Sequence, residues 1–157
     1  MIKKLILSFI LIAIFLVAIA PLAVYKLTLS NVDKPVRPTI LISGDDLLEY
    51  WAKYDHVENI DDISNTTPYW IYKWLIVAIF EKQIKDRGFT IEINNISKMA
   101  GLIALNHLRE SDFKPSTGGM LNWHMTSINL GIWIQRNWSA IEIASKHKEI
   151  NITKVST

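Results

Sequence analysis

Apolar residues run without a charge from Leu5 to Tyr25, 21 positions that at a helical rise of about 1.5 Å match the roughly 30 Å hydrocarbon core of a bilayer. The stretch predicts a transmembrane helix. Lys3 and Lys4 before it and the A-x-A triplet Ala18-Ile19-Ala20, which looks like a small-residue cleavage site, also fit a cleaved signal peptide, but Pro21 follows directly and the apolar run continues to Tyr25, which favours a retained anchor. Beyond it, Leu27 to Thr39 carries two prolines and reads as an extended tether. Ile40 to Ile42 is expected as a short strand, Ser43 or Gly44 as a turn, and Asp45 to Tyr54 as a helix with Leu47, Leu48 and Trp51 on one face.

A second apolar block follows from Tyr69 to Phe80, where eleven of twelve residues are aromatic or aliphatic and Lys73 is the exception. It is too short to span a bilayer. With Thr67 as N-cap and Pro68 in the first turn, it predicts the central helix of a small domain, running to about Lys85 and stopping near Gly88. Phe89 to Ile93 alternates like a strand or enters the next helix, Ile96 to Arg109. Ser111 to Gly119 is a loop, Met120 to Ile134 a helix, and Ser139 to Glu149 a final helix capped by Ser139. The pattern therefore predicts a mostly α protein: a cytoplasmic tail and anchor over 1–26, a tether over 27–39, a helical extracytoplasmic domain over 40–150 and a frayed tail over 151–157.

Composition changes this picture in three ways. The formal charge is +2, and without Lys3 and Lys4 the remainder is neutral, so nucleic acid is not expected as a partner. Those two lysines place the N-terminus in the cytoplasm and the domain outside, on the positive-inside rule. The absence of cysteine from an exported domain leaves stability to the core and the membrane.

Candidate chemistry is sparse. The acidic run from Asp45 to Asp62 lacks a calcium-loop pattern and reads as a solvated face, and the histidines at 56, 107, 124 and 147 have no zinc spacing and read as surface or half-buried groups. No phosphate-binding loop or nucleophile elbow is present, and no cofactor or metal is expected. Asn65, Asn95, Asn137 and Asn151 each begin an N-x-S/T triplet, to which no role is assigned. The clusters Tyr50-Trp51-Tyr54 and Tyr69-Trp70-Tyr72-Trp74 suit a core or a water–lipid boundary.

The order of features from about residue 60 to 145 resembles the family-51 glycosyltransferases, membrane-anchored enzymes that polymerise peptidoglycan from lipid II. The resemblance is carried by Asp62-Ile63-Ser64, Ile76 to Glu81, Gly88-Phe89, Gly118-Gly119 and Asn129-Leu130. It implies a small lysozyme-like helical domain, with Glu81 in the position of the general base. It also implies a substrate region formed by Lys82, Lys85, Arg87, Gly118, Gly119, Asn122, His124 and Asn129, the cations facing the departing pyrophosphate. Taken by themselves, Lys82, Lys85 and Arg87 equally suit a solvated helix end.

This chain departs from the family at its polar groups. Phe80-Glu81 or Glu81-Lys82 replaces the family's acidic pair, Asp86-Arg87 stands before Gly88 where the family has histidine, and Met120 to Met125 replaces its hydroxyl- and amide-rich stretch. The expectation is a non-catalytic or weakly active cell-wall module at the membrane, with peptidoglycan, lipid II or other envelope proteins as partners. A divergent lipid II polymerase using Glu81 and an unrelated membrane-tethered assembly factor are the alternatives.

Overall fold

The computed structural model describes residues 2–52, 67–73, 76, 80, 95–115 and 119–155. Among the described residues the helices with defined bounds are α1 (Ile2–Leu29), α2 (Gly44–Ala52), α3 (Asn95–Glu110), α4 (Gly119–Asn137) and α5 (Ala140–Val155). Among the described residues no strand forms, so the protein is mostly helical with one N-terminal helix long and apolar enough to cross a membrane.

The domain is organised around α3 and α4. They run antiparallel, because Ser97 near the start of α3 donates to Gln135 near the end of α4 at 2.8 Å, while Gly101 and Gly131 meet one turn further along each. A Cβ placed on Gly131 would lie 3.4 Å from the Gly101 Cα, a backbone approach that leaves room for a methyl but would be prevented by a longer side chain at 131. Met99, Ala100, Ile103, Ala104 and Leu108 of α3 then meet Leu130 and Ile134 of α4, and Ile143 and Ala144 of α5, in one buried cluster. Asp112, at φ 47°, ends α3: Phe113 N–H donates to the Leu108 carbonyl at 3.0 Å, the long bond of a Schellman cap.

The last part of α1 belongs to the same core. Tyr25 packs on the cluster, Leu29 is part of it, and Asn129 of α4 donates through Nδ2 to Thr28 Oγ1 at 2.8 Å. Arg136 lies over the Tyr25 ring at 5.9 Å, so α1 and α4 are also antiparallel. Before Leu22 the helix is different: Phe9 is 72% exposed, and the other described large apolar side chains from Ile6 to Leu22 are exposed as well.

The segment expected as an extended tether is docked. Val32 and Pro35 are buried, and Lys34 donates to the Leu29 and Val32 carbonyls, both at 2.8 Å, closing the C-terminal end of α1. Lys34 also lies 5.8 Å from the Trp133 ring, and its desolvation lowers its pKa, an effect the neighbouring Asp33 charge opposes. The strand expected over Ile40 to Ile42 does not form. Ile42 N–H donates instead to Ser145 Oγ at 3.0 Å on α5, which gives the backbone a side-chain partner in place of a strand.

The final helix is longer than its sequence pattern suggested. It continues past Glu149 to Val155, and Asn151, expected in a frayed tail, contacts the Tyr50 hydroxyl at 3.5 Å and the His147 ring at 3.4 Å. His147 is buried rather than at the surface: its Nδ1 shares a 2.7 Å hydrogen bond with Tyr50 OH, which fastens α2 to α5.

The start of α5 is a capping box. Ser139 N–H donates to Glu142 Oε2 at 2.7 Å, Glu142 N–H donates to Ser139 Oγ at 3.2 Å, and Arg37 bonds Glu142 Oε1 at 2.6 Å. Burial alone would raise the Glu142 pKa, but the two Ser139 hydrogen bonds and the Arg37 charge outweigh it, leaving the value below that of an ordinary glutamate. A carboxyl lowered on folding contributes stability that is complete above its unfolded pKa and is lost as the pH falls through its folded one. Glu142→Gln is therefore expected to cost about 1 kcal/mol near neutrality, a value kept small because Arg37 is solvent-exposed. Urea unfolding should show the gap from the unaltered protein closing below about pH 4; a gap that persists there would contradict this account.

The described part of the second apolar block does not form the centre of the domain. Its first turn is made by bonds from Trp70, Ile71 and Tyr72 N–H to the carbonyls three residues earlier, and residues 70–73, 76 and 80 are helical. Ile71 is buried, yet Tyr69 and Tyr72 reach α1, their hydroxyls donating to the Ala18 and Val17 carbonyls, and Ile76 and Phe80 are each 48% exposed. Among the described residues the core cluster is made by α2, α3, α4, α5, Val32 and the end of α1, while Tyr69 and Tyr72 are turned to the anchor.

Candidate functional site

The residues assigned to a substrate region fall into two groups. Glu81, Lys82, Lys85, Arg87 and Gly118 lie outside the described residues. Gly119, Asn122, His124 and Asn129 are described, and all four stand on α4.

Helical geometry separates those four. Gly119 opens the helix at φ 50°, a conformation that suits glycine. Asn122 accepts from Thr126 Oγ1 through its backbone carbonyl at 2.7 Å and lines an open cavity of about 420 Å³ with Leu27, Thr28, Asn31 and Lys114, on the side facing the end of α1. His124 is exposed, stands edge-on to Trp123 with ring centroids 5.4 Å apart, and borders a different depression of about 230 Å³ along the Gly101–Gly131 crossing. Asn129 is fully buried.

Asn129 is thus corrected from a substrate contact to a structural one. No solvent reaches its amide, whose Nδ2 is committed to Thr28, and its Oδ1 has no hydrogen-bond partner. Thr28 Oγ1 in turn donates to the Val24 carbonyl at 2.8 Å, so a short relay joins α4 to the backbone of α1. Asn122 and His124 point to separate depressions and do not converge on one reacting position. Among the described residues no cluster of three His, Asp or Glu is arranged to hold a metal ion.

The polar pairs that tie the fold together were not singled out from the sequence. Ser139 and Glu142 carried a readable signal, since S-x-x-E is the capping-box spacing. The spacing of His147 and Asn151 by four places them on one helix face, but nothing local named Tyr50 as their partner.

No family model, no curated protein and no solved structure matches the chain. The resemblance to family-51 glycosyltransferases therefore rests on the residues quoted above.

Proposed function

We propose that the protein is a single-pass membrane protein of the cell envelope, with its N-terminus cytoplasmic, whose helical domain is a non-catalytic binding or regulatory module held against the membrane surface. The observation that carries this reading is the continuity of α1. One helix exposes its described large apolar side chains from Ile6 to Leu22 and is built into the domain core from Tyr25 to Leu29, so anchor and domain are joined by continuous helix. Retention of the anchor is favoured over cleavage after Ala20 because Tyr69 and Tyr72 bond to Ala18 and Val17, residues that cleavage would discard.

The resemblance to the glycosyltransferases directs the ligand class to lipid II or the glycan strands made from it. The non-catalytic part is supported by the dispersal of Asn122, His124 and Asn129 over separate places on α4. Carbonate-washed membranes should retain the full chain and release a variant lacking residues 1–20. In detergent micelles the protein should bind fluorescent lipid II without polymerising it. Polymerisation that disappears in Glu81→Gln would instead establish a divergent enzyme, and absence of both binding and polymerisation would leave only a membrane-tethered assembly factor.

A further inference from the structure

Pro21 lies inside α1 and has no N–H, so the Val17 carbonyl four residues earlier loses its helical donor. The Tyr72 hydroxyl occupies that vacancy, and the Tyr69 hydroxyl bonds the adjacent Ala18 carbonyl at 3.0 Å. In water such a carbonyl would be hydrated. Inside hydrocarbon it requires a partner from the protein.

The register of α1 sets the depth of this contact. Lys4 and Lys26 are the nearest charges on either side of the apolar run, and the 21 residues between them match one hydrocarbon core. With the outer boundary near Tyr25, the Val17 carbonyl lies eight residues further in, about 12 Å at helical rise. The Tyr69 and Tyr72 hydroxyls are therefore well inside the boundary. Lys73 lies 4.6 Å from the Trp70 ring in the same turn, a pairing that shields the charge on an aromatic face. Further along, Ile76 and Phe80 are both helical and both exposed.

On the reading of α1 as a membrane span, we infer that the helical segment beginning at Trp70 dips into the outer leaflet beside α1 and presents Ile76 and Phe80 to lipid acyl chains. The occupant of this face is lipid because Tyr69 and Tyr72, a few residues before Ile76, bond carbonyls of α1 that lie between its exposed Leu16 and Ile19, so the segment leaves from a lipid-facing stretch of the anchor. The protein then holds the membrane with a span and a wedge, and the wedge fixes how the domain is turned about the anchor. Both proline and tyrosines have a role in that arrangement: Pro21 frees an acceptor at a depth where only a buried donor can satisfy it.

The chain has no cysteine, so single reporters can be placed without altering any other residue. Bimane attached to Ile76→Cys, Phe80→Cys, Phe9→Cys or Met120→Cys is read in the full-length protein reconstituted in phosphatidylcholine vesicles carrying brominated acyl chains. All four side chains are exposed, so labelling leaves the core intact. The expected result is loss of emission at positions 76 and 80 comparable to that at 9, with none at 120, and independent of the protein-to-lipid ratio. Quenching at 9 but not at 76 and 80 overturns the wedge while the anchor stands. No quenching at 9 overturns the anchor reading, and relief of quenching at 76 and 80 as protein density rises would assign the face to a second copy instead.

Discussion

Gly131→Leu is expected to unfold the helical domain. The atoms nearest to a Cβ at this position are the Gly101 Cα at 3.4 Å, the Gly101 N at 3.5 Å and the Ala100 carbonyl carbon at 3.7 Å, all of them backbone. Backbone cannot rotate away as a side-chain tip does, so the atoms beyond Cβ would force α3 and α4 apart. Overpacking of this kind costs about 3 kcal/mol, and the separation would also open the cluster formed by Ala100, Ile103, Leu130 and Ile134.

Two smaller substitutions at the same crossing should behave differently. Gly131→Ala adds only an ordinary van der Waals contact and gains helix propensity of up to about 1 kcal/mol, so it should be close to neutral. Gly101→Ala points its methyl into open space and should stabilise by a similar amount. Urea unfolding followed by near-ultraviolet circular dichroism in micelles would rank the three. A Gly131→Leu protein as stable as the unaltered one would mean that the helices do not cross here.

Asn129→Asp is the second large expected loss, on the order of 3 kcal/mol at neutral pH. The two side chains have nearly the same volume, so packing hardly changes. What changes is that a carboxylate would occupy a fully buried position whose one side-chain partner is the Thr28 hydroxyl, already engaged with the Val24 carbonyl. Burial would raise the pKa of the new carboxyl, so the loss should shrink as the pH falls toward about 4 and the acid becomes neutral.

Asn129→Leu provides the contrast. It removes the unpartnered Oδ1 and leaves Thr28 with its own acceptor, so it should cost far less than the aspartate. If Asn129 instead served a ligand from an open site, the aspartate would fold normally and its defect would appear only in binding. Equal stability of Asn129→Asp and the unaltered protein would therefore reverse the structural assignment.

Much of the helical framework was legible in the sequence because helix formation is largely a local matter. The uncharged run after Lys4 marked α1, and Ile96 to Arg109 differs from α3 by one residue at each end. The final helix was extended by a contact its own sequence does not contain, the meeting of Asn151 with Tyr50. The strand expected at Ile40 to Ile42 gave way for a similar reason, since the backbone found Ser145 rather than another strand.

The candidate site was read less well, and Asn129 shows why. Its place in a family-like order of residues suggested contact with substrate, while its burial depends on where α1 ends and how α4 crosses it. The block from Tyr69 to Phe80 makes the same point from the other side. Its apolar character was plain, but an apolar face accepts a protein core and a lipid leaflet equally, and nothing local distinguishes them.

The sequence by itself determined that one helix is long and apolar enough to cross a membrane, that most of the rest is helical, and that Ser139 begins the last helix. These follow from hydropathy, periodicity and capping, which act over a few neighbouring residues. Only the tertiary structure decided that α1 runs into the domain core, that Asn129 is a tie between helices, and that Tyr72 completes the carbonyl freed by Pro21. Each of these joins residues some 50 to 100 positions apart, and such a pairing is set by which faces can close together without leaving a buried polar group unmatched.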